Sequence, residues 1–379
     1  MFQFVKPAVR VPETRPRAAA LAAVRAGARS AVVAIVVVCQ VLMPTFAEPT
    51  EVGGGAGELP AHHGDGRFVN PGVDPGPPPN VGPVIGLPFL FRRVAVTLAG
   101  DATGAPRRIA NDGRALAAGP ADDGATVTWV GHSTLVVQMD GVTFLTDPTW
   151  SPTASPLPVG PRRFVEPGLA IDALPPIDFV VVSHNHYDHL DLDTLRRLSN
   201  GTTRFFVPLG NGALLDGEGI GPVVELDWWQ SATVGAVEVH CVPALHWSRR
   251  GLFDTNRALW SGWAVTSPQR RFYFAGDTAA FDGFAEIGER LGPFDLAAVP
   301  IGAYSPVEMM KSSHLDPEQA VDAVLAVGAR RSLAVHYGTF DLSDEPLDEP
   351  PRRFRAASQA AGRSALDDWL FDVGETRPW

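Results

Sequence analysis

The stretch Ser183–Asp191, SHNHYDHLD, places three histidines and a carboxylate within six residues, directly after the apolar run Phe179–Val182. The apolar run predicts a buried strand, and the polar stretch begins where that strand would end. Clustered histidines and carboxylates are costly to desolvate, and a divalent metal ion that takes them as ligands offsets this cost. A histidine cluster on an exposed turn is the alternative, but the buried strand before it favours a metal site.

Spacing within this stretch predicts ligands for two metal ions. His184 and His186 alternate, so both side chains can face one side at the end of the strand. Asp188 and His189 then fall at the start of the following helix and can reach a second position. One short loop can therefore serve two neighbouring ions.

Beyond Ala125 the chain consists of short apolar or alternating runs bounded by turn residues, and such runs predict strands. The predicted strands are Thr126–Val130, Thr134–Gln138, Thr143–Leu145, Phe179–Val182, Arg204–Val207, Val237–Val242, Gly262–Thr266, Phe272–Phe274, Leu296–Pro300 and Ser332–Val335. The predicted helices are Leu192–Leu198, Phe281–Arg290, Pro317–Val327 and Arg352–Ala361. Strands with interspersed helices indicate an α/β chain in which helices cover sheets.

Three further candidate ligands each follow a predicted strand. His246 comes after Val237–Val242, Asp277 stands in a Gly-Asp-Thr turn, and His336 closes the strand before it. Each residue alone would more often be structural than functional.

The composition excludes some classes of protein and of site. A formal net charge of −11 argues against a nucleic-acid partner, because phosphate backbones require a basic surface. The two cysteines, Cys39 and Cys241, have no C-x-x-C spacing, so we do not expect thiolate ligands to the metal.

The pattern H-x-H-x-D-H after a strand resembles the metallo-β-lactamase superfamily. That superfamily also places a later His, a bridging Asp and a final His at the ends of successive strands, and His246, Asp277 and His336 match these in order. This resemblance implies an α/β fold of the αββα sandwich type, in which helices flank two packed sheets. It also implies two divalent metal ions, for which the ligand types suit zinc, with iron and manganese as alternatives. The implied ligands are His184, His186 and His246 on one ion, Asp188, His189 and His336 on the other, and Asp277 bridging both.

Several other segments are similar to the N-acyl-phosphatidylethanolamine phospholipase D family, in particular to its bacterial relatives. These segments include Gly131–Thr134 (GHST), Phe144–Pro148 (FLTDP), Glu225–Trp229 (ELDWW) and His336–Phe340 (HYGTF). The similarity extends over most of the chain, starting near Gly66. It implies a binuclear hydrolase that cleaves a phosphodiester, most simply that of an N-acyl-phosphatidylethanolamine, through attack of a metal-activated water on phosphorus.

Roles for individual residues follow from this second resemblance. Asp188, Asp277 and His314 would be catalytic, with His314 binding phosphate or protonating the leaving alcohol; for His314 a loop histidine that caps local backbone is the alternative. Tyr187, Trp247 and His314 would contact the substrate, although packing is the alternative for Tyr187 and Trp247.

Neighbouring residues are expected to support this site. Asp147 would order the ligand loops, and His132 would do the same or pack in the core. Trp228 and Trp229 would line an acyl pocket or belong to the aromatic core. The apolar-then-basic segment 84–93 predicts peripheral membrane contact, with a strap packed on the core as the alternative. A homodimer is also compatible with the sequence.

The chain divides into three predicted regions. Residues 1–47 have a basic region, the apolar run Ala31–Met43 and a small-residue exit at Ala47, as in a secretory signal; an uncleaved anchor is the alternative. Either one predicts an exported, periplasmic or membrane-associated protein. Residues 48–124 predict an arm or linker packing on the core, with His62 and His63 as a solvated loop pair. Residues 125–379 form the expected metallo-β-lactamase-fold hydrolase domain.

Two other functions remain open from the sequence. A lactonase or sugar-phosphate hydrolase would keep the metal ions but cleave a different bond, and β-lactamase activity is a further variant. A non-catalytic, membrane-associated metal-binding protein belongs to another class. The seven ligand candidates argue against it, because a structural zinc site needs only about four.

Overall fold

Two seven-stranded sheets pack face to face at the centre of the protein. The first sheet has the order β14-β1-β2-β3-β4-β5-β6 and contains β1 Thr126–Gly131, β2 Thr134–Met139, β3 Val142–Thr146, β4 Phe179–Val181, β5 Arg204–Pro208, β6 Val223–Leu226 and β14 Thr376–Pro378. The second has the order β13-β12-β11-β10-β9-β8-β7 and contains β7 Ser231–Val234, β8 Val237–Val242, β9 Gly262–Thr266, β10 Arg271–Phe274, β11 Leu296–Pro300, β12 Arg331–Val335 and β13 Asp368–Trp369.

The computed structural model describes residues 60–72, 88–89, 91–93, 95–96, 99–121, 124–157 and 160–379. The predicted signal or anchor, residues 1–47, lies outside the described residues, as does part of the segment 84–93. Across the described ranges, the structure contains no helix long and apolar enough to cross a membrane.

Large aromatic side chains fill the space between the sheets. Trp129 and Phe144 from the first sheet, and Trp263 and Phe272 from the second, are fully buried in one cluster. Phe144 and Phe272 meet edge to face, with ring centroids 5.6 Å apart. Burying each such side chain contributes about 1.5–3 kcal/mol, so this layer is the main apolar source of stability.

Helices cover the outer faces of both sheets. The helices with described bounds are α1 Arg114–Ala118, α2 Leu192–Leu198, α3 Gly212–Gly217, α4 Gly283–Leu291, α6 Pro317–Ala326 and α7 Glu349–Ala360, together with the short α5 Val307–Met310, which has no buried residue. Leu195 of α2 and Leu215 of α3 share a buried cluster with outer-face residues of the first sheet, and α6 packs on β11. The predicted αββα sandwich is therefore confirmed.

Every predicted strand and helix is present, with ends shifted by a few residues at most. Strands β3 to β6 are parallel, and so are β10 to β13. Strand β9 is antiparallel to both β8 and β10, so β8 runs in the same direction as β10. The loops after β4, β8, β10 and β12 consequently leave the sandwich at the carboxyl ends of parallel strands, and these loops carry the candidate ligands.

Candidate metal centre

Backbone geometry brings the ligand loops of the two sheets together. Gly276, just before Asp277, has φ +62°, and a Cβ at this position would lie 2.7 Å from the Cβ of Ser183. Only glycine permits this close approach of the β10 loop to the β4 loop. His132 and His336 also have positive φ values, 53° and 59°, which are rare for residues with a side chain and concentrate at functional sites.

Three histidines form the first half of the centre. His184 Nε2 lies 2.7 Å from His186 Nδ1, and His246 Nε2 lies 3.3 Å from the same nitrogen. His184 and His246 are almost completely buried. Three imidazole nitrogens that converge on one point in this way suit a shared cation.

Two carboxylates and two histidines come together in the second half of the centre. Asp188 Oδ2 lies 3.3 Å from His189 Nε2 and 3.6 Å from His336 Nε2. Asp277 Oδ2 lies 3.2 Å from His189 Nε2, 3.0 Å from His336 Nε2 and 3.9 Å from His246 Nε2. The structure therefore brings all seven predicted ligands together, and Asp277 stands between the two halves.

Hydrogen bonds behind the site fix how the histidines face it. His189 Nδ1 donates to Asp147 Oδ2 at 2.6 Å, and His246 Nδ1 donates to the carbonyl of Ser313 at 2.8 Å. Ser183 Oγ, which donates to Asp147, lies 2.9 Å from His184 Nδ1. These contacts leave the Nε2 lone pairs directed inward, as in metal-ligating histidines whose other nitrogen is held by a carboxylate or carbonyl.

Burial and neighbouring charges keep these side chains in the protonation states that bind metal. Burial lowers the pKa of His184 and His246 well below the ordinary value and that of His186 to about 4, so these imidazoles are neutral. Burial alone would raise the pKa of Asp277, but His189 and His336 hold it well below its usual range. Neutral imidazole and ionised carboxylate are the forms that bind metal.

His336 shows the opposite shift. Burial lowers its pKa, but the negative charge of Asp277 and the close contacts with the carboxylates of Asp188 and Asp277 outweigh burial and raise the value to about 9. The negative potential of this half of the centre therefore attracts positive charge. A metal cation would satisfy the same carboxylates while displacing the proton.

Unpaired polar atoms provide a test of whether metal fits here. The Nε2 atoms of His189 and His336 and Oδ1 of Asp277 are buried, and none of them has a partner in hydrogen-bonding geometry, although both Nε2 atoms lie close to carboxylate oxygens. Such atoms are uncommon in native proteins and call for an explanation such as a bound ion. Their nitrogen and oxygen chemistry fits divalent transition metals, so the residues present match the cofactor that the sequence predicts.

His132 belongs to this centre more closely than its sequence context indicated. Its Nε2 lies 3.1 Å from Asp188 Oδ2, and its ring centroid lies 4.2 Å from that of His336. Burial lowers the pKa of His132 to about 3, so the ring is neutral. The segment Gly131–Thr134, which joins β1 to β2, was the available signal, and the contact favours support of the candidate ligand Asp188 over simple core packing.

His314 and Trp247 lie beside the predicted ligands. His314 Nδ1 is buried without a hydrogen-bond partner, 3.8 Å from Asp277 Oδ2, and the His314 ring centroid is 5.2 Å from that of His246. The ring centroid of Trp247 lies 4.4 Å from that of His186. Both residues are therefore placed where a molecule bound at the centre would meet them.

The other predicted contact residues have packing roles in this structure. The hydroxyl of Tyr187 donates to the carbonyl of Arg250 at 2.9 Å, and the Arg250 guanidinium stacks 4.1 Å from the Tyr187 ring centroid. Trp228 and Trp229 are partly buried against the aromatic core, and Trp228 Nε1 donates to the carbonyl of Trp260 at 2.7 Å. Trp228 and Trp229 therefore belong to the aromatic core, the second of the two roles expected from the sequence, rather than to an acyl pocket.

A cleft of about 190 Å³ opens beside His132 and His336. Its wall combines apolar side chains, such as Phe340, with charged ones. Arg93, from the segment predicted to contact membrane, turns towards this wall and forms ion pairs with Asp341 and Asp344. Its charge is thereby compensated within the protein rather than presented to lipid.

The prediction of a solvated loop pair at His62 and His63 is wrong. His62 Nε2 lies 2.6 Å from Asp227 Oδ1 and His63 Nε2 lies 2.8 Å from Asp227 Oδ2, and His62 is buried against Trp228. The three residue types could in principle hold a metal ion. Each Nε2 is already paired with one carboxylate oxygen, so we interpret the cluster as a clasp that attaches the arm to the core.

Asp227 makes the stability of this clasp dependent on pH. Although burial alone would raise its pKa, hydrogen bonds from His62 and His63 hold the pKa of Asp227 below the ordinary value. A carboxyl with a lowered folded-state pKa stabilises the protein above its unfolded value of about 3.9 and loses this contribution as pH falls through the folded value.

We therefore predict that Asp227→Asn lowers the free energy of unfolding by about 1–3 kcal/mol near neutral pH, and that the difference from wild type shrinks below about pH 4. Urea denaturation over this pH range measures both effects. Asp172→Asn, at a side chain 90% exposed, should leave the curve nearly unchanged. A pH-independent deficit in Asp227→Asn would contradict the interpretation.

Comparisons with known proteins agree with this geometry. Residues 143–337 match the family model described as Beta-lactamase superfamily domain. Igni18, a metallo hydrolase from Ignicoccus hospitalis, has a TM-score of 0.52 at 24% identity, covering 67% of this chain and 98% of its own. This likeness shows the fold.

Two relatives identify the family to which the chain belongs within this superfamily. The chain is 44% identical over 271 residues to N-acyl-phosphatidylethanolamine-hydrolyzing phospholipase D 1 of Caenorhabditis elegans, covering 67% of this chain and 76% of the relative. It is 35% identical over 243 residues to the mitochondrial N-acyl-phosphatidylethanolamine-hydrolyzing phospholipase D of Saccharomyces cerevisiae, covering 62% of this chain and 52% of that relative. The chain is therefore a metal-dependent hydrolase of the β-lactamase superfamily and belongs to the N-acyl-phosphatidylethanolamine-hydrolysing phospholipase D family within it.

Proposed function

We propose that this protein is a binuclear phosphodiesterase that cleaves N-acyl-phosphatidylethanolamine to a phosphatidic acid and an N-acylethanolamine. The observation that carries the proposal is the position of Asp277 Oδ2, which lies within 3.9 Å of ligand nitrogens from both halves of the centre. The names of the two relatives support the choice of substrate.

The seven side chains divide into the two sets implied by the sequence. One ion would be held by His184, His186 and His246, the other by Asp188, His189 and His336, and Asp277 would contact both. When bound, divalent ions act as Lewis acids that lower the pKa of water and offset charge on phosphate oxygens. Zinc suits these nitrogen and oxygen ligands.

His314 is the proposed acid for the departing alcohol. Cleavage breaks the bond between phosphorus and the alcohol oxygen, and that oxygen must gain a proton. The unpaired Nδ1 of His314 faces the interior of the centre. Burial lowers the pKa of His314 to about 4, and the negative charge of a bound phosphodiester would shift it back upward.

The cleft beside His336 would receive a part of the substrate next to the phosphate, and Trp247 would contact the substrate on the His186 side. A lipid substrate also requires approach to a membrane surface. The exposed side chains of Phe91 and Phe253, 62% and 84% accessible, support peripheral contact of this kind.

Metal-loaded protein should hydrolyse N-acyl-phosphatidylethanolamine, and His186→Ala should lose nearly all turnover because one half of the centre loses a ligand. Chelation should abolish activity in the wild type, and added zinc should restore it. The assay quantifies the released N-acylethanolamine by mass spectrometry.

Simple lactones, a sugar phosphate and nitrocefin serve as comparison substrates in the same assay. Turnover of a lactone or sugar phosphate alone would keep the metal centre and assign the function to the alternative hydrolase. Lipid turnover that survives complete metal removal would contradict the proposal.

His314→Gln should reduce kcat by about 10²- to 10⁴-fold on the lipid, whose alkoxide leaving group needs a proton. On bis(p-nitrophenyl) phosphate, whose leaving group is stable as an anion, the loss should be much smaller. Metal content, measured in parallel, should match that of wild type. Equal losses on both substrates would contradict the role of His314 as an acid.

A further inference from the structure

We infer that Asn70, in the arm that precedes the catalytic domain, is a positioning residue for His246 and sets how firmly the half of the centre formed by His184, His186 and His246 holds its ion. The inference rests on the proposed metal centre and assigns the arm a part in it. We define the arm as residues 60–72.

Asn70 contacts the ligand loop directly. Its Nδ2 donates to the carbonyl of His246 at 2.8 Å, and its Oδ1 accepts from Trp260 Nε1 at 3.1 Å. Trp260 is fully buried, and its Nε1 also donates to the carbonyl of Ala244 at 3.0 Å. Both ends of the Asn70 amide are therefore used, and they fix the backbone of His246 relative to a rigid core residue.

The arm also holds the far end of the loop that follows His246. The backbone N–H of Phe68 donates to the carbonyl of Asn256 at 2.7 Å. Asn256 closes the loop, because its Oδ1 accepts from the N–H of Ser248 at 3.1 Å and its own N–H donates to the carbonyl of Ser248 at 2.8 Å. The loop carrying His246 and Trp247 is thus attached to the arm at its beginning and at its end.

Within this loop, Arg250 reaches back to the first ligand motif. Its Nη1 donates to the carbonyls of Asn185 and Leu190, at 3.0 and 2.8 Å. Asn185 stands between His184 and His186, so the guanidinium constrains the backbone that carries both ligands. The arm therefore contacts His246 directly, and the loop that the arm attaches also contacts the backbone between His184 and His186.

The arm is itself fixed well enough to position other residues. The clasp of His62 and His63 on Asp227 anchors it to the core, and the N–H of Val69 donates to the carbonyl of His62 at 2.9 Å. Asn70 follows directly after this hydrogen-bonded turn. Its amide is consequently presented from a rigid support, which is what a positioning group requires.

The second half of the centre has other supports. Asp147 holds His189, and His132 holds Asp188. The N–H of His336 donates to the carbonyl of His132 at 3.1 Å. Among the described residues of the arm, hydrogen bonds reach His246 but none reaches Asp188, His189 or His336. Loss of the Asn70 contact should therefore affect one ion and spare the other.

The test uses the full chain loaded with zinc and the variant Asn70→Asp, which keeps the acceptor for Trp260 but replaces the donor to His246 with an oxygen. Zinc retained after dialysis against graded chelator is measured by plasma mass spectrometry. We expect one of the two equivalents to dissociate at a chelator activity about 10- to 100-fold lower than in wild type, with the other unchanged.

Asn111→Asp is the matched control. Asn111 Nδ2 donates to the carbonyl of Gly374 at 2.9 Å and to Oγ1 of Thr376, the first residue of β14, at 3.0 Å, and within the described ranges it makes no hydrogen bond to a ligand loop. This variant should release both equivalents as wild type does. Asn70→Ala, which removes the donor without adding charge, should weaken the same equivalent if Asn70→Asp fails to fold.

Three results would overturn the inference. Wild-type zinc retention in both Asn70 variants would show that the contact does not set affinity. Parallel weakening of both equivalents would show a general effect on stability rather than on His246. A wild-type protein that binds no zinc would remove the proposed metal centre as well, so this failure is distinguishable from the other two.

Discussion

The convergence of both sheets on Asp277 is the constraint on which the rest of this structure depends. His189 reaches Asp277 from the first sheet, whereas His336 and Asp277 itself come from the second, and the nitrogens of these histidines lie 3.2 and 3.0 Å from Asp277 Oδ2. Such an arrangement requires that the two sheets be held in a fixed relative position directly beneath the site. The N–H of Ser261 donates to the carbonyl of Ser183 at 2.9 Å, and Trp263 Nε1 donates to the carbonyl of Val182 at 3.0 Å, so the end of β4 is tied to β9.

The two halves of the centre differ in what holds them. The half that contains Asp188, His189 and His336 is supported by residues at strand ends of the sandwich, in particular Asp147 and His132. The three-histidine half depends in addition on a long loop and on an arm that lies far away in sequence. This difference follows from topology, because the ligand after β8 belongs to a loop that leaves the sheet before returning to β9. A long loop can place a ligand accurately only if other groups restrict it.

Much of this organisation was predictable from the sequence. The ten central strands, the α/β class and the ligand candidates from His184 to His189 follow from apolar runs that end in polar motifs. The αββα sandwich and the candidates His246, Asp277 and His336 followed from the resemblance to the metallo-β-lactamase superfamily. Strands β6, β7, β13 and β14 were not predicted, because they are edge strands of only two to four residues, too short for a clear alternating pattern. The clasp of His62 and His63 was also missed, since it depends on Asp227, which is 164 residues away from His63. The role of Asn70 could not be predicted from the sequence either, because one hydrogen bond to a backbone carbonyl leaves no periodic pattern in the sequence.

The most direct test of the central claim is a crystal structure of the zinc-soaked protein with anomalous scattering recorded on both sides of the zinc absorption edge. The account predicts two peaks, one among His184, His186 and His246 and one among Asp188, His189 and His336, with Asp277 contacting both. A single peak, no peak, or zinc held only at His62, His63 and Asp227 would contradict it.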